Sequence, residues 1–244
     1  MKGSFLNTKS ITVLSIIASL LYLYLMFLEP FLSFGSVGLI KTLKDWQTLN
    51  SAIIALIASA IALYANQYSE KKQKERDFIA AKAFLPDALS ELNGYLKKSA
   101  KIYLEIYEFK KNKQVNVKLS NPLAELPNNY KIVFRDCIHS GESSVGIYLS
   151  EFLRKLQVHN SRMAGTYINL GDSENDYSTL ESVSTDILNT AELYAMLGRL
   201  FPFSRNESEL NSSKLKPAEI NIGYPNLKID PTEIIHLEEQ TSRY

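Results

Sequence analysis

The chain has 244 residues, with 27 Lys and Arg against 26 Asp and Glu, for a formal net charge of +1. That balance lacks the basic excess of a general nucleic-acid binder, so no direct nucleic-acid contact is expected. The single cysteine, Cys137, excludes an intrachain disulfide and fits a reducing compartment.

Hydrophobic residues make up 45% of the chain, but they are concentrated in the first 69 positions, and the remainder suffices for one compact domain. Residues 1–9 carry Lys2 and Lys9, and Ser10 to Leu28 follows without a charge. At about 1.5 Å per residue that run is just long enough to cross a bilayer as a helix. A basic start before an apolar run also describes a cleaved signal peptide; the length of the run and the missing small-x-small cleavage site argue against it. Thr12, Ser15, Ser19, Tyr22 and Met26 form a stripe of modest residues expected to pack on a second helix. Glu29-Pro30 is expected to end the first helix, because proline lacks the donor and restricts the residue before it. Phe31 to Ile40 is apolar, interrupted by Gly35 and Gly38, and too short to span; an interfacial and a re-entrant placement both remain open.

Trp46 to Ser69 carries no charge over 24 residues and reads as the second span, about 46–68. Thr48, Ala52, Ala55, Ser59, Ala62 and Asn66 recur at alternating spacings of four and three, which sets small or polar side chains on one helix face. A smooth face lets a second helix approach closely, and packing of this kind drives association in lipid. Ala52, Ala55, Ser59, Ala62 and Asn66 are therefore the candidate helix-packing or self-association residues. A path lined by the Ser59 stripe is the sharper alternative, although no charged ring supports a selective channel. Trp46, Tyr64 and Tyr68 are the expected aromatic interface anchors. Lys71, Lys72, Lys74 and Arg76 follow the span and, with Lys2 and Lys9, place both termini on the cytoplasmic side of the membrane. Glu70, Glu75 and Asp77 partly cancel the basic run, so a solvated helix face and contact with anionic lipid are both open.

The second helix is expected to continue as a charged stalk towards Pro86. Asp87 to Phe109 reads as an amphipathic helix through Leu89, Leu92, Leu96, Tyr103 and Ile106. Lys110 to Pro127 is a connector in which VNVKL admits a short strand. Asn128 to His139 is an expected helix offering Ile132, Val133, Phe134 and Ile138 to a core, capped by Gly141. The next helix, about 144–167, is expected to be capped by Ser143 or Ser144 and to bury Ile147, Tyr148, Phe152, Leu153 and Leu156. After a turn at Gly171–Asp176, a last long helix runs about 177–200 and stops at Phe201-Pro202-Phe203. Asn206 to Lys216 reads as a mobile polar loop, and the tail to residue 244 as docked short turns. The organisation is thus a membrane hairpin (1–69), a stalk with an amphipathic helix (70–109), a helical domain (110–205), and a polar loop with its tail (206–244).

No catalytic set emerges. GESSVG, from Gly141, lacks nucleophile-elbow spacing. Cys137 and His139 point about 200° apart on a helix and cannot share one metal. No phosphate-binding, dinucleotide-binding or zinc-protease motif occurs, so no cofactor or metal is expected, and the chain reads as a non-enzyme.

DWQTL before an alanine-rich apolar helix, a charged stalk and AAKAFLPDALSEL, then YKIVFRDCIHS, LSEFLRKLQVHNSRM and AMLGRLFPFSR, together resemble a group of bacterial two-span membrane proteins. The resemblance covers most of 45–205 in order. Some members look like the transmembrane effectors of retron anti-phage systems. It implies an abortive-infection toxin of the bacterial inner membrane, restrained by a reverse transcriptase with its DNA product, that damages the membrane when phage disturbs that complex. It carries no catalytic residues over. The expected fold is mainly α: a two-helix transmembrane hairpin, a helical stalk and a small cytosolic α-helical domain. A non-toxic membrane-anchored scaffold or sensor for a cytosolic protein partner is the alternative.

Overall fold

The computed structural model describes residue 17 and residues 20–114, 118–170 and 178–244. All regular structure among them is helical, in eight helices: α1 (Leu20–Asp45), α2 (Gln47–Ala83), α3 (Leu85–Lys111), α4 (Tyr130–Ser140), α5 (Ser143–Asn169), α6 (Leu180–Ser204), α7 (Pro217–Leu227) and α8 (Leu237–Ser242). The chain divides into two compact units, Met1–Glu70 and Lys71–Tyr244, and α2 runs from the first into the second. The start of the expected first span, the VNV of the possible strand and the 171–176 turn lie outside the described residues.

In the first unit the chain does not leave the helix at Glu29-Pro30. A π-turn, Tyr24–Leu28, precedes the proline, and the Glu29 amide donates to the Tyr24 carbonyl five residues back. The wider turn gives the proline ring room against the preceding carbonyls, so helix continues past it. The break comes at Gly35 (φ 61, ψ −151), a conformation open in practice to glycine alone. The Tyr22 hydroxyl donates to Asn50 Oδ1 at 2.6 Å. A straight helix would hold these residues about 42 Å apart, so the chain must fold back between them. Trp46 (φ −104, ψ 20) is a one-residue joint, donating to the Thr42 carbonyl of the helix before it and accepting from the Asn50 amide of the helix after it. The reversal is therefore at Gly35, and 31–40 forms the tip of a helical hairpin.

In the second unit, α3 buries one face continuously: Leu85, Leu89, Leu92, Leu96, Tyr103 and Ile106 are all fully buried. Each aliphatic side chain so buried contributes about 1.5–3 kcal/mol. Its partner α6 is buried nearly all round, since it packs on α3, α5, α7 and α8. Thr179 and Ser182 cap its start reciprocally. Pro202 does not stop it; the helix runs on to Ser204 and buries Phe203.

On α4 and α5 the inward faces are Tyr130, Phe134 and Cys137, and Tyr148, Phe152 and Leu156. Ile132 and Ile147, expected in the core, are instead 56% and 67% exposed, because they lie on the helix faces opposite those that carry Tyr130, Phe134, Tyr148 and Phe152 inward. Neither Ser143 nor Ser144 caps α5; its N-cap is Glu142, without a side-chain bond. Gly141 is extended (φ −78) rather than left-handed, and its value is space: a Cβ there would stand 2.8 Å from Phe78 Cε2.

The tail docks. Tyr107 Oη accepts from the Ile235 amide at 2.8 Å, Ser184 donates to the Ile235 carbonyl, and Tyr224 bonds Thr241. The 206–216 loop, expected to be mobile, is tied to α6 by Arg199. That guanidinium donates to the carbonyls of Asn211, Ser213 and Lys214 and forks onto both oxygens of Glu219.

Candidate functional site

By length and composition alone, two helical stretches are long and apolar enough to cross a membrane, Leu20–Asp45, which bends back at Gly35, and Gln47–Ala83. Within α2 the apolar part ends at Ser69, and every residue from 47 to 69 except Asn50 and Ile53 is exposed. No charge interrupts 46–69, about 36 Å of helix, against a hydrocarbon core of about 30 Å. Leucine and isoleucine side chains on several sides of this cylinder make it a surface suited to lipid rather than to water.

Ala52, Ala55, Ser59, Ala62 and Asn66 all lie on this exposed stretch. Ser59 donates to the Ala55 carbonyl at 2.8 Å, so its hydroxyl is satisfied within the helix and adds no bare donor to the stripe. The described part of the first helix does not cover the stripe. It uses another face of α2: Tyr22 meets Asn50, whose amide also reaches the Leu43 carbonyl at 3.4 Å, and Met26 and Pro30 are buried in the hairpin. Asn50 stands out in sequence as a polar group within an apolar run, but nothing there names Tyr22 as its partner.

Trp46 sits exposed at the joint of α1 and α2, and Tyr64 and Tyr68 are exposed near the other end of the apolar stretch. Lys71, Lys72, Lys74 and Arg76 extend from the following turns, all exposed. Lys72 pairs with Glu75 at 2.8 Å and holds its carboxyl below the usual range, and Gln73 donates to Asp77 at 2.8 Å. The basic run is thus partly neutralised along its own helix.

Beyond it the end of α2, from Lys71 on, packs within the second unit. Phe78 lies over Gly141 and 6.3 Å from the Phe203 ring, and Lys82 Nζ stands 4.0 Å from the Phe203 centroid. A cation–π contact of this kind is worth about 0.5–2 kcal/mol. Cys137 lies fully buried nearby, and burial pushes its thiol up to about 11, so it stays a neutral thiol. This seat was not legible in sequence, since Phe78, Gly141 and Phe203 are far apart along the chain.

His159 is buried between α3 and α5. The rings of Tyr95 and Tyr103 meet it edge-on at 5.9 and 5.6 Å, and neither ring nitrogen has a hydrogen-bond partner. Burial lowers it to about 4, so it is neutral at physiological pH. His139 is exposed, and Ser143 and Ser144 sit exposed at the start of α5. Among the described residues no three His, Cys, Asp or Glu side chains converge as metal ligands. Comparison with protein-family models, with curated proteins and with solved structures finds no match.

Proposed function

We propose that the protein is an anti-phage effector that spans the bacterial inner membrane and permeabilises it when released during infection. The observation that carries this reading is the 47–69 stretch of α2: uncharged, exposed and longer than the hydrocarbon core, with a small-residue stripe that the described part of the first helix leaves open. Such a stripe favours close association of copies within lipid. The resemblance of 45–205 to retron transmembrane effectors supplies the biological setting, with a reverse transcriptase and its DNA product as restraint. Lysine and arginine flanking the apolar segments support cytoplasmic placement of both termini. No chemistry by the protein itself is invoked; the damage is mechanical, through assembly in the membrane.

The test is induced expression in a bacterium, alone and with the flanking genes and a phage, following growth and uptake of a membrane-impermeant dye. Uptake that precedes growth arrest is expected. Normal growth without uptake, even with the flanking genes and phage, would refute the reading and leave a non-toxic membrane-anchored scaffold. Replacing Ala55 and Ser59 together by leucine should abolish both association and toxicity; retention of both would remove the stripe from the mechanism.

A further inference from the structure

The end of α6 carries two attachments. Phe203 holds Phe78 and Lys82 from the end of α2. Arg199, four residues earlier and so on the same side of the helix, grips the segment that leaves it. The two are about 6 Å apart along the axis.

That segment, 205–216, is a strap fastened to α6 at both ends. Asn206, in the left-handed region at φ 60, turns the chain back. Its amide donates to the Phe203 carbonyl at 3.1 Å, and the Glu207 amide donates to the Pro202 carbonyl at 2.9 Å. At the far end Arg199 donates to the Asn211 and Lys214 carbonyls at 3.1 and 3.2 Å, and to Glu219 at 2.8 and 2.6 Å. The Arg199 side chain is only 8% exposed, so departure of the strap leaves a buried cation short of partners.

The stretch between the two attachments is weak by itself. Pro202 brings no N–H, so the Gly198 carbonyl receives no helical bond. Gly198 has nothing within 4 Å of the place a side chain would take. A proline one turn after an unpacked glycine is where a helix bends. Meanwhile α2 is one helix from Gln47 to Ala83, so whatever seats its last turns restrains its apolar stretch.

We propose that the 205–216 strap is a restraint on α2. While Arg199 is bonded to it, the end of α6 stays in line and seats Phe78 and Lys82. When the strap leaves Arg199, the helix bends at Gly198–Pro202 and the seat opens. The consequence for the membrane rests on the function proposed above; the coupling of strap to seat does not.

Cys137 reports the seat. It is the chain's only cysteine and is buried. Its carbonyl accepts from the Gly141 amide, over which Phe78 lies, and its thiol is within electrostatic reach of Lys82. A thiol reagent reaches it when the seat opens or when the whole domain unfolds. Denaturant separates the two routes, because global unfolding exposes far more surface. The protein to use is the full chain in detergent. Glu219→Gln retains an oxygen to accept from the Lys216 amide but loses the charged fork on Arg199. It should speed labelling about tenfold, by a route insensitive to low denaturant. Arg199→Lys, which cannot fork, should do the same. Ser184→Ala cuts a tail contact on α6 away from the strap and should leave the rate unchanged.

Unchanged labelling in both strap variants, with the loop newly cut by protease, would overturn the proposal, because the strap would have left without opening the seat. Equal acceleration by Ser184→Ala, or acceleration that follows global unfolding, would also overturn it, because the strap would then only stabilise the domain. In cells, Glu219→Gln at equal protein level should bring dye uptake forward without phage. Faster labelling with no earlier uptake would overturn the restraint. Absence of uptake from every form, the native chain with its flanking genes and phage included, is the failure of the membrane reading, and the labelling alone then decides the coupling.

Discussion

Replacing Gly141 by alanine should unseat the end of α2 from the C-terminal domain. A Cβ at Gly141 stands 2.6 Å from the Cys137 carbonyl oxygen and 2.8 Å from Phe78 Cε2. Carbon atoms in ordinary contact are about 3.5–4.0 Å apart, so the Phe78 ring must retreat by about 1 Å, and the last turn of α4 must give as well. Overpacking of this kind costs about 1–3 kcal/mol. For a domain of this size each kcal/mol is worth about 2–4 °C in Tm, so Gly141→Ala should lower the midpoint by roughly 2–12 °C. The assay is thermal unfolding of the full chain in detergent, followed by far-ultraviolet circular dichroism. A double-mutant cycle isolates the contact. Phe78→Ala should cost less in the Gly141→Ala background than in the native one, because part of the clash is then gone, giving a coupling of about 0.5–2 kcal/mol. Additive losses, or an unchanged midpoint for Gly141→Ala, would refute the seating of Phe78 on Gly141.

The Arg199 guanidinium places all five of its donors and is largely buried. Arg199→Met should therefore cost about 3–5 kcal/mol in chemical unfolding and make the 206–216 loop sensitive to protease. His159 is neutral when folded, with its pKa lowered from 6.5 to about 4. The unfolded chain binds the extra proton first, so stability is full above pH 6.5 and falls by about 3 kcal/mol as pH drops from there towards 4. His159→Phe should flatten that part of the pH profile, and an unchanged profile would assign the acid sensitivity to other groups. Tyr22→Phe and Asn50→Leu should each weaken the hairpin by about 0.6–2 kcal/mol, with the double variant no worse than either. The check is protease accessibility of the 29–45 turn in vesicles.

Helix faces were legible where the core is one-sided. On α3 the spacing of Leu89, Leu92, Leu96, Tyr103 and Ile106 declares its buried side, and all five are buried. On α4 and α5 the apolar residues spread wider than the contact, so Ile132 and Ile147 look no different in sequence from Phe134 and Tyr148. Only the placement of the neighbouring helices decides which face turns inward, and that information is non-local. The membrane segment reversed the difficulty. Its uncharged length was plain, whereas the face taken by the first helix was set by one hydrogen bond, Tyr22 to Asn50, and by the reversal at Gly35. Gly35 was visible as an interruption, but its sharpness was not, because glycine admits many backbone conformations and only the packed arms select one. The loop at 206–216 looked mobile for a related reason: composition shows that its side chains are polar, but not that Arg199 binds its carbonyls.

The prolines show which effect wins. Pro30 and Pro202 read as helix stops, yet each lies within a helix, while α2 ends at Ala83, ahead of Pro86. An interior proline costs about 3 kcal/mol through the lost hydrogen bond and the ring clash with the preceding turn. At Pro30 the clash is relieved by the π-turn, whose Glu29–Tyr24 bond opens the helix just before the ring. At Pro202 no such turn precedes it, and the offset has to come from burial. Leu200 is fully buried, Phe203 is 7% exposed, and Phe203 also carries the Lys82 and Phe78 contacts. Leu200 stays buried wherever the helix ends, so the offset is the burial of Phe203, about 1.5–3 kcal/mol, with its Lys82 contact, about 0.5–2 kcal/mol, which together match the proline's penalty. Ending the helix at Leu200 would withdraw Phe203 from the seat of α2. Phe203→Ala should therefore both unseat the stalk and fray α6 back towards Leu200, seen as faster amide exchange at 201–204. Fraying without loss of the Phe78 contact would show that the seat does not depend on the last turn of α6.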